Sequence, residues 1–236
     1  TPIREHPSND ASGVETDRFI GTPGRSFSRA WNGLMVRTML SGGDPYKPGR
    51  SGAVLEYRDD LAVATLDGHN QTGTTAGTGV TFYYVQGGVG RVDMGPGTQG
   101  YDIHPGVGVL FAPGAKQHFT NTGDAQISMI MMTWTKNDGM TVKVPLKVVD
   151  TDPKPLAGGV ANGNRAHWVM VGGKGLFNND DGVNITMSAI QIPPVTYSGP
   201  HAHTKGVEEI WVKTGFDVGY AILGSEMRKI DGPGAF

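Results

Sequence analysis

The chain has 236 residues, enough for one large or two small domains, and it is rich in glycine (37) and proline (15). Its low charged content of 18% and its scattered aromatic residues argue against an intrinsically disordered chain. The net charge of −2, without a long run of lysine or arginine, excludes nucleic acid and anionic membranes as expected partners.

Two further features concern processing and location. The chain contains no cysteine, so disulfides, thiolate ligands and cysteine nucleophiles are excluded. The chain begins at Thr1 rather than at a methionine, which either cleavage of a secretory signal or trimming of the chain would explain. We expect a secreted or periplasmic location rather than a cytoplasmic one. No apolar segment approaches the roughly 18 residues of a membrane-spanning helix, so we expect no membrane association.

Residues 1–28 are polar and contain several prolines, which predicts an extended N-terminal arm lying along a neighbouring barrel or subunit. Beyond the arm, turns rich in glycine and proline separate short runs of β-branched and aromatic residues, and no amphipathic helix is expected. This pattern predicts an all-β fold. The predicted strands of the first half are Ala30–Leu40, Ala53–Tyr57, Leu61–Leu66, Thr81–Val85, Val89–Met94, Tyr101–Ile103 and Gln126–Trp134.

The two halves of the chain are joined by Val144–Asn164, a segment with prolines, glycines and no clear periodicity. We therefore expect a first domain over residues 29–150 and a second over residues 151–236. The second domain begins with predicted strands at Ala166–Val171 and Val183–Ile192.

A repeated pattern indicates that the second domain is a copy of the first. Val89–Gly95 and Val218–Gly224 share the pattern V-G-x-[VA]-x-[ML]-G, and each is followed by a turn, an isoleucine (Ile103 or Ile230) and a Pro-Gly pair. Repetition of this kind is typical of duplicated structural units. We expect two similar β-domains in tandem.

The densest group of potential metal ligands lies in the second domain. His201 and His203 are separated by one residue, Ala202. On an extended strand both histidine side chains therefore point to the same face, with their Cβ atoms about 7 Å apart. A short loop, Thr204–Val207, then brings Glu208 or Glu209 back beside them. Two neutral imidazoles and one carboxylate suit a divalent transition metal and leave coordination positions open. Strand alternation allows only one of the two glutamates to face the metal, and the sequence leaves open which.

This stretch resembles the first motif of the cupin superfamily. The motif consists of His-x-His, three or four residues, Glu, six residues and Gly, a spacing matched by His201, His203, Glu208 and Gly215. In many cupins the glutamate directly precedes an apolar strand residue, which would select Glu209 instead. The resemblance implies all-β, double-stranded β-helix (jelly-roll) barrels, two in tandem, and one bound divalent ion: iron, manganese, zinc, nickel or copper.

A second cupin-like motif occurs in the first domain, where His118 and Asn121 follow a Pro-Gly turn. This domain offers His69 and His118 as its imidazoles but no carboxylate at the matching position, so we expect its metal site to be degenerate. The second domain stops at Phe236, before its own copy of this motif. We therefore expect the second barrel to be incomplete, or to be completed by the N-terminal arm or another chain.

Two functions remain open at this stage. The first is an enzyme of the dioxygenase, isomerase or lyase type, acting at the metal on a small, oxygen-rich substrate. The second is a non-catalytic protein that binds a sugar-like small molecule. A general acid or base near the metal would favour the enzyme, and the nearby candidates are Tyr197, Lys205 and the glutamate that is not a ligand. No catalytic residue is assigned, since a fold does not determine a reaction. A homodimer formed through barrel edges or the N-terminal arm is compatible with this organisation.

Overall fold

The computed structural model describes residues 16–136, 141–151, 167–169, 182, 187, 189–191, 197, 207–223 and 226–236. In these residues the secondary structure is mainly β, with short 3-10 helices at Thr16–Phe19 and Pro23–Arg25. The all-β prediction is therefore confirmed. No helix in this part of the chain is long and apolar enough to cross a membrane.

The strands of the first half follow one another at short intervals between residues 29 and 150. They are β1 (Arg29–Trp31), β2 (Leu34–Gly42), β3 (Ala53–Leu55), β4 (Asp60–Leu66), β5 (Thr75–Ala76), β6 (Val80–Gly87), β7 (Gly90–Asp93), β8 (Tyr101–Ile103), β9 (Val107–Phe111), β10 (Lys116–Asn121), β11 (Ile127–Trp134) and β12 (Leu146–Asp150). Each predicted strand overlaps an observed one. The predicted strand at Ala30–Leu40 is wrong in one respect, because a turn at Asn32 and Gly33 divides it into β1 and β2.

Two sheets pack face to face in the first half. The larger has the order β1-β2-β4-β11-β6-β9-β12, with β3 paired to β2, and the smaller has the order β5-β10-β7-β8. The core between them is mainly apolar and takes residues from both sheets, including Leu34, Val36, Tyr83, Val92, Phe111 and Phe119. Burying the inner faces of both sheets in this way gives the predicted jelly-roll barrel.

The central strands of the larger sheet, β6, β9 and β11, are buried on both of their faces. In β6, Tyr83 and Val85 face the interior of the barrel, while Val80 and Phe82 face the opposite side. This opposite side packs against residues of the second half, namely Met187, Ile210, Val212 and Ala235. Burial on both faces explains why β6, β9 and β11 are nearly continuous apolar runs rather than alternating ones.

The described part of the second half consists of strand pairs. β13 (His167–Val169) pairs with β14 (Ala189–Gln191), β15 (Val212–Lys213) with β18 (Gly234–Ala235), and β16 (Gly219–Leu223) with β17 (Glu226–Ile230). Gly219 lies opposite Ile230 as Gly90 lies opposite Ile103, so the two segments with the repeated pattern share this residue pairing. The rest of the predicted second barrel lies outside the described residues.

The described part of the N-terminal arm packs against the second half, and Arg18 also bonds to the first half at Pro48 and Gly52. Gly21 exchanges two backbone hydrogen bonds of 2.9 Å with Ala235 in β18. Ile20 is buried in a small core with residues of β16 and β17, and the Asp17 carboxylate binds Arg228 Nε at 2.6 Å. The arm therefore adds an extended segment beside β18 and ties it to the neighbouring hairpin.

Candidate metal centre

Glu208 joins the second half of the chain to the first. It precedes β15, and its carboxylate reaches the loop between β3 and β4. There Oε1 accepts hydrogen bonds from the backbone N–H groups of Glu56 (2.5 Å) and Tyr57 (3.4 Å). The other oxygen, Oε2, is buried and has no hydrogen-bond partner among the described residues. Oε1 of Glu208 is thus hydrogen-bonded to the first half of the chain, while Oε2 can still accept a hydrogen bond or bind a cation.

The surroundings of Glu208 oppose its ionisation. Burial raises the pKa of the carboxyl group above its ordinary value, while the hydrogen bonds from the Glu56 and Tyr57 amides and the positive charge of Arg58 partly offset this effect. The group therefore loses its proton less readily than a solvent-exposed glutamate. A cation placed near Oε2 would lower this pKa, because it would stabilise the charged form.

Glu209 lies on the opposite side of the same segment. Val207 and Glu209 are exposed, whereas Glu208 and Ile210 are partly buried. This alternation is that of an extended chain, in which successive side chains point to opposite sides. The two glutamates therefore face different surroundings, and a single metal ion on one side of the segment can take only one of them.

The predicted histidine ligands, His201 and His203, lie outside the described residues, as does Lys205. Tyr197 is described, and its side chain is 64% exposed. Within the described ranges, no three histidine or carboxylate side chains come together in a group that could hold a metal ion. Any metal site that uses Glu208 or Glu209 therefore needs further ligands from outside the described residues.

Three polar side chains occupy the interior of the first barrel. The Tyr83 hydroxyl donates a hydrogen bond to Gln117 Oε1 at 2.9 Å, and Gln117 Nε2 donates to Thr81 Oγ1 at 3.1 Å. All three residues are buried, and the Tyr83 ring packs edge to face against Phe119, with ring centroids 4.8 Å apart. These residues supply a phenol, an amide and a hydroxyl, which satisfy one another and are poor ligands for a divalent transition metal.

The histidines considered for the first barrel lie at its surface. In β10, strand alternation turns Gln117 inward and His118 outward, where Nδ1 lies 2.9 Å from Asp93 Oδ1. His69 occupies an exposed turn, with Nε2 2.7 Å from Asp124 Oδ1. The alignment that put His118 at the ligand position of the second motif is therefore displaced by one residue.

The inward position of Gln117 was missed from the sequence, although a signal for it was present. Phe119 is the apolar residue of this strand, and the two-residue period of a β-strand puts residues 117 and 121 on the same side as residue 119. Gln117, Phe119 and Asn121 are all buried in the structure. The position of Phe119, rather than that of His118, should have been used to decide which residues of β10 face the barrel interior.

Comparisons with known proteins give the fold of the chain. No protein-family model matches it, and no curated protein matches it. Protein Ylba from E. coli aligns with 92% of this chain and 80% of its own, at a TM-score of 0.50 and 12% identity. A Cupin 2 conserved barrel domain protein from Salinispora arenicola covers 46% of this chain and 81% of its own, at a TM-score of 0.36 and 14% identity. A predicted oxalate decarboxylase from Thermotoga maritima covers 48% of this chain and 96% of its own, at a TM-score of 0.39 and 14% identity. At such identities the likeness concerns the fold alone.

Proposed function

We propose that this chain, which has the cupin fold, is a metal-binding protein built from two barrels in tandem, with its metal in the second half. His201, His203 and one of Glu208 and Glu209 would hold one divalent ion: iron, manganese, zinc, nickel or copper. The observation that carries the proposal is that β15 pairs antiparallel with β18, as β6 pairs antiparallel with β9 in the first barrel. The segment with these four residues leads directly into β15.

The donor set fits a divalent transition ion. Neutral imidazoles and a carboxylate are common ligands of such ions, and three protein ligands leave coordination positions open. A carboxylate oxygen of either glutamate is chemically suited to bind such an ion. Oε2 of Glu208 has no hydrogen-bond partner in the described part of the chain, and the Glu209 side chain is exposed. The first barrel, with Gln117 and Tyr83 in its interior, would serve as a scaffold.

A small, oxygen-rich molecule is the proposed substrate class. The metal, when bound, supplies a Lewis acid or a binding position for dioxygen. The residues of this chain would then orient the substrate and exclude water, and an activity of the dioxygenase, isomerase or lyase type is the proposed outcome. The alternative is non-catalytic binding of a sugar-like molecule. Homodimerisation through barrel edges or the N-terminal arm is compatible with both.

Thermal unfolding tests the metal proposal. The chelator-treated chain is unfolded with each of Fe²⁺, Mn²⁺, Zn²⁺, Ni²⁺ and Cu²⁺ added separately, and at least one ion should raise the melting temperature. An ion present at a hundred times its dissociation constant stabilises the native state by about 2.7 kcal/mol. His203→Ala is the matched variant and should not respond. Failure of every ion to stabilise the parent chain would contradict the proposal. Turnover of small hydroxy or keto acids by the loaded protein would then distinguish an enzyme from a binding protein.

A further inference from the structure

The hairpin formed by β16 and β17 has one buried face and one exposed face. Ala221 and Ile230 are buried and pack against Ile20 of the N-terminal arm. Strand alternation turns the intervening residues to the other side. There Ile222 lies directly opposite Met227, and the two side chains are 65% and 63% exposed. The outer face of the hairpin is therefore apolar.

Three further apolar residues of this segment are exposed. Tyr220 in β16 is 61% exposed on the outer face, and Phe216 and Val218, which directly precede the strand, are exposed as well. Side chains of this kind present about 150–250 Å² if aromatic and about 100 Å² if aliphatic, so all five together leave on the order of 500 Å² of apolar surface in water. The largest apolar patch of a typical monomer covers about 300–600 Å² and is often a binding site. The segment is therefore a candidate interaction surface.

The equivalent hairpin of the first barrel, β7 with β8, has a charged outer face. Alignment of the two hairpins at their glycine–isoleucine pairs makes Arg91 the counterpart of Tyr220 and Asp93 that of Ile222. Arg91 lies opposite Asp102, whose side chain is almost fully exposed. Two positions that carry charges in the first barrel thus carry large apolar side chains in the second. The difference is explained if the outer face of the second hairpin is covered, because burial stabilises apolar side chains and destabilises unpaired charges.

We propose that the outer face of the β16–β17 hairpin is a dimer interface, at which it packs against the same face of a second copy of this chain. Two copies together would bury on the order of 1,000 Å², the size at which specific interfaces between proteins begin. A two-fold axis brings identical surfaces together in this way in most homodimers. The interface goes beyond the proposed metal binding and does not depend on it.

The charges on the outer face suit an identical partner. Lys229 lies opposite Tyr220, and its Nζ atom is 3.0 Å from Asp231 Oδ1. This ion pair leaves no net charge to repel a second copy of the same face. A partner selected by electrostatic attraction would instead require a face with charges of one sign.

Sedimentation velocity of the full chain tests the interface. From micromolar to millimolar concentration, the parent chain should approach twice the 25.0 kDa of one copy. Ile222→Asp should raise the dissociation constant of the dimer about 100-fold or more, because two carboxylates would enter an apolar contact. The variant should still fold, since the equivalent position of the first barrel already carries Asp93, and far-ultraviolet circular dichroism checks this.

Phe27→Asp is the matched control. Its side chain is 99% exposed and lies outside the hairpin, so this substitution should leave the dimer intact. A parent chain that sediments as a single copy over the whole range would overturn the proposal and leave the face to a different partner. Equal dissociation of Ile222→Asp and Phe27→Asp, or dissociation of neither, would overturn it as well.

Cross-linking tests the face-to-face arrangement. The chain contains no cysteine, so Ile222→Cys introduces a single thiol, and cysteine keeps the position small and apolar. The five residues of β16 extend over only about 17 Å, so a flexible bismaleimide can join thiols on two facing strands. It should link two copies of Ile222→Cys but not two copies of Phe27→Cys. Equal yields of linked dimer from the two variants would overturn the arrangement.

Discussion

The Tyr83 hydroxyl donates a 2.9 Å hydrogen bond to the side-chain oxygen of Gln117 in the interior of the first barrel. Both residues are 0% exposed, so water cannot replace either partner. A buried polar group that loses its partner costs about 1–3 kcal/mol. This hydrogen bond therefore stabilises the barrel on which the second half docks.

Tyr83→Phe should lower the free energy of unfolding by about 1–3 kcal/mol, because it leaves Gln117 Oε1 without its donor. Urea denaturation of the metal-free chain measures the loss. Tyr84→Phe is the matched control, since it removes the same atom from the neighbouring residue, which is partly buried on the other side of β6. Equal losses in the two variants would contradict the role given to the hydrogen bond.

The stability of the chain should fall as the pH rises above 10. Burial raises the pKa of Tyr83 well above its ordinary value of 10.0, so the folded chain keeps this proton after the unfolded chain has released it. Below pH 10 both states are protonated and the residue contributes no pH dependence. Above it, each pH unit costs about 1.4 kcal/mol of stability until the folded chain also ionises. The free energy of unfolding of Tyr83→Phe should fall less steeply with pH in the same range. Identical slopes in the variant and the parent chain would contradict the raised pKa of Tyr83.

Gly21→Ala should detach the N-terminal arm from β18. A Cβ atom at this position would lie 2.1 Å from the Met39 carbonyl oxygen, so the backbone that hydrogen bonds to Ala235 would have to move. Limited proteolysis should then cleave the arm faster than in the parent chain. Gly24→Ala is the control, because a Cβ there meets nothing within 4 Å. Equally rapid cleavage of both variants, or of neither, would argue against the packing of the arm.

His118→Ala should leave the metal content of the protein unchanged. The side chain faces away from the barrel interior and pairs with Asp93 at 2.9 Å, so it is not placed to bind an ion inside the barrel. Elemental analysis of the variant and the parent chain measures the metal content. A large loss of metal would show that the first barrel takes part in binding the ion.

Most strands of the first barrel could be predicted because turns and apolar runs are local signals. The turn between β1 and β2 was missed although it carries such a signal. Asn32 and Gly33 have φ angles of 51° and 86°, which asparagine and glycine adopt at the least cost. An Asn-Gly pair between apolar residues is a strong signal for a hairpin. The turn was missed because the apolar residues on both sides of this pair made Ala30–Leu40 resemble a single strand.

The orientation of the two glutamates could not be predicted from the sequence. The motif spacing favours Glu208 as the ligand, whereas the position directly before the apolar strand residue favours Glu209. The two local patterns therefore conflict. The contact that separates them joins Glu208 to Glu56, 152 residues earlier in the chain. Such a contact exists only once the two halves have packed against each other, and no local pattern encodes it.

Elemental analysis by plasma mass spectrometry tests the central claim most directly. The parent chain and His201→Ala are purified without an affinity tag or chelator, and their metal contents are compared. We expect about one divalent transition ion per parent chain and close to none in the variant, because a single imidazole and a carboxylate bind such ions weakly. A parent chain without metal, or a variant with as much metal as the parent, would contradict a metal centre at His201 and His203.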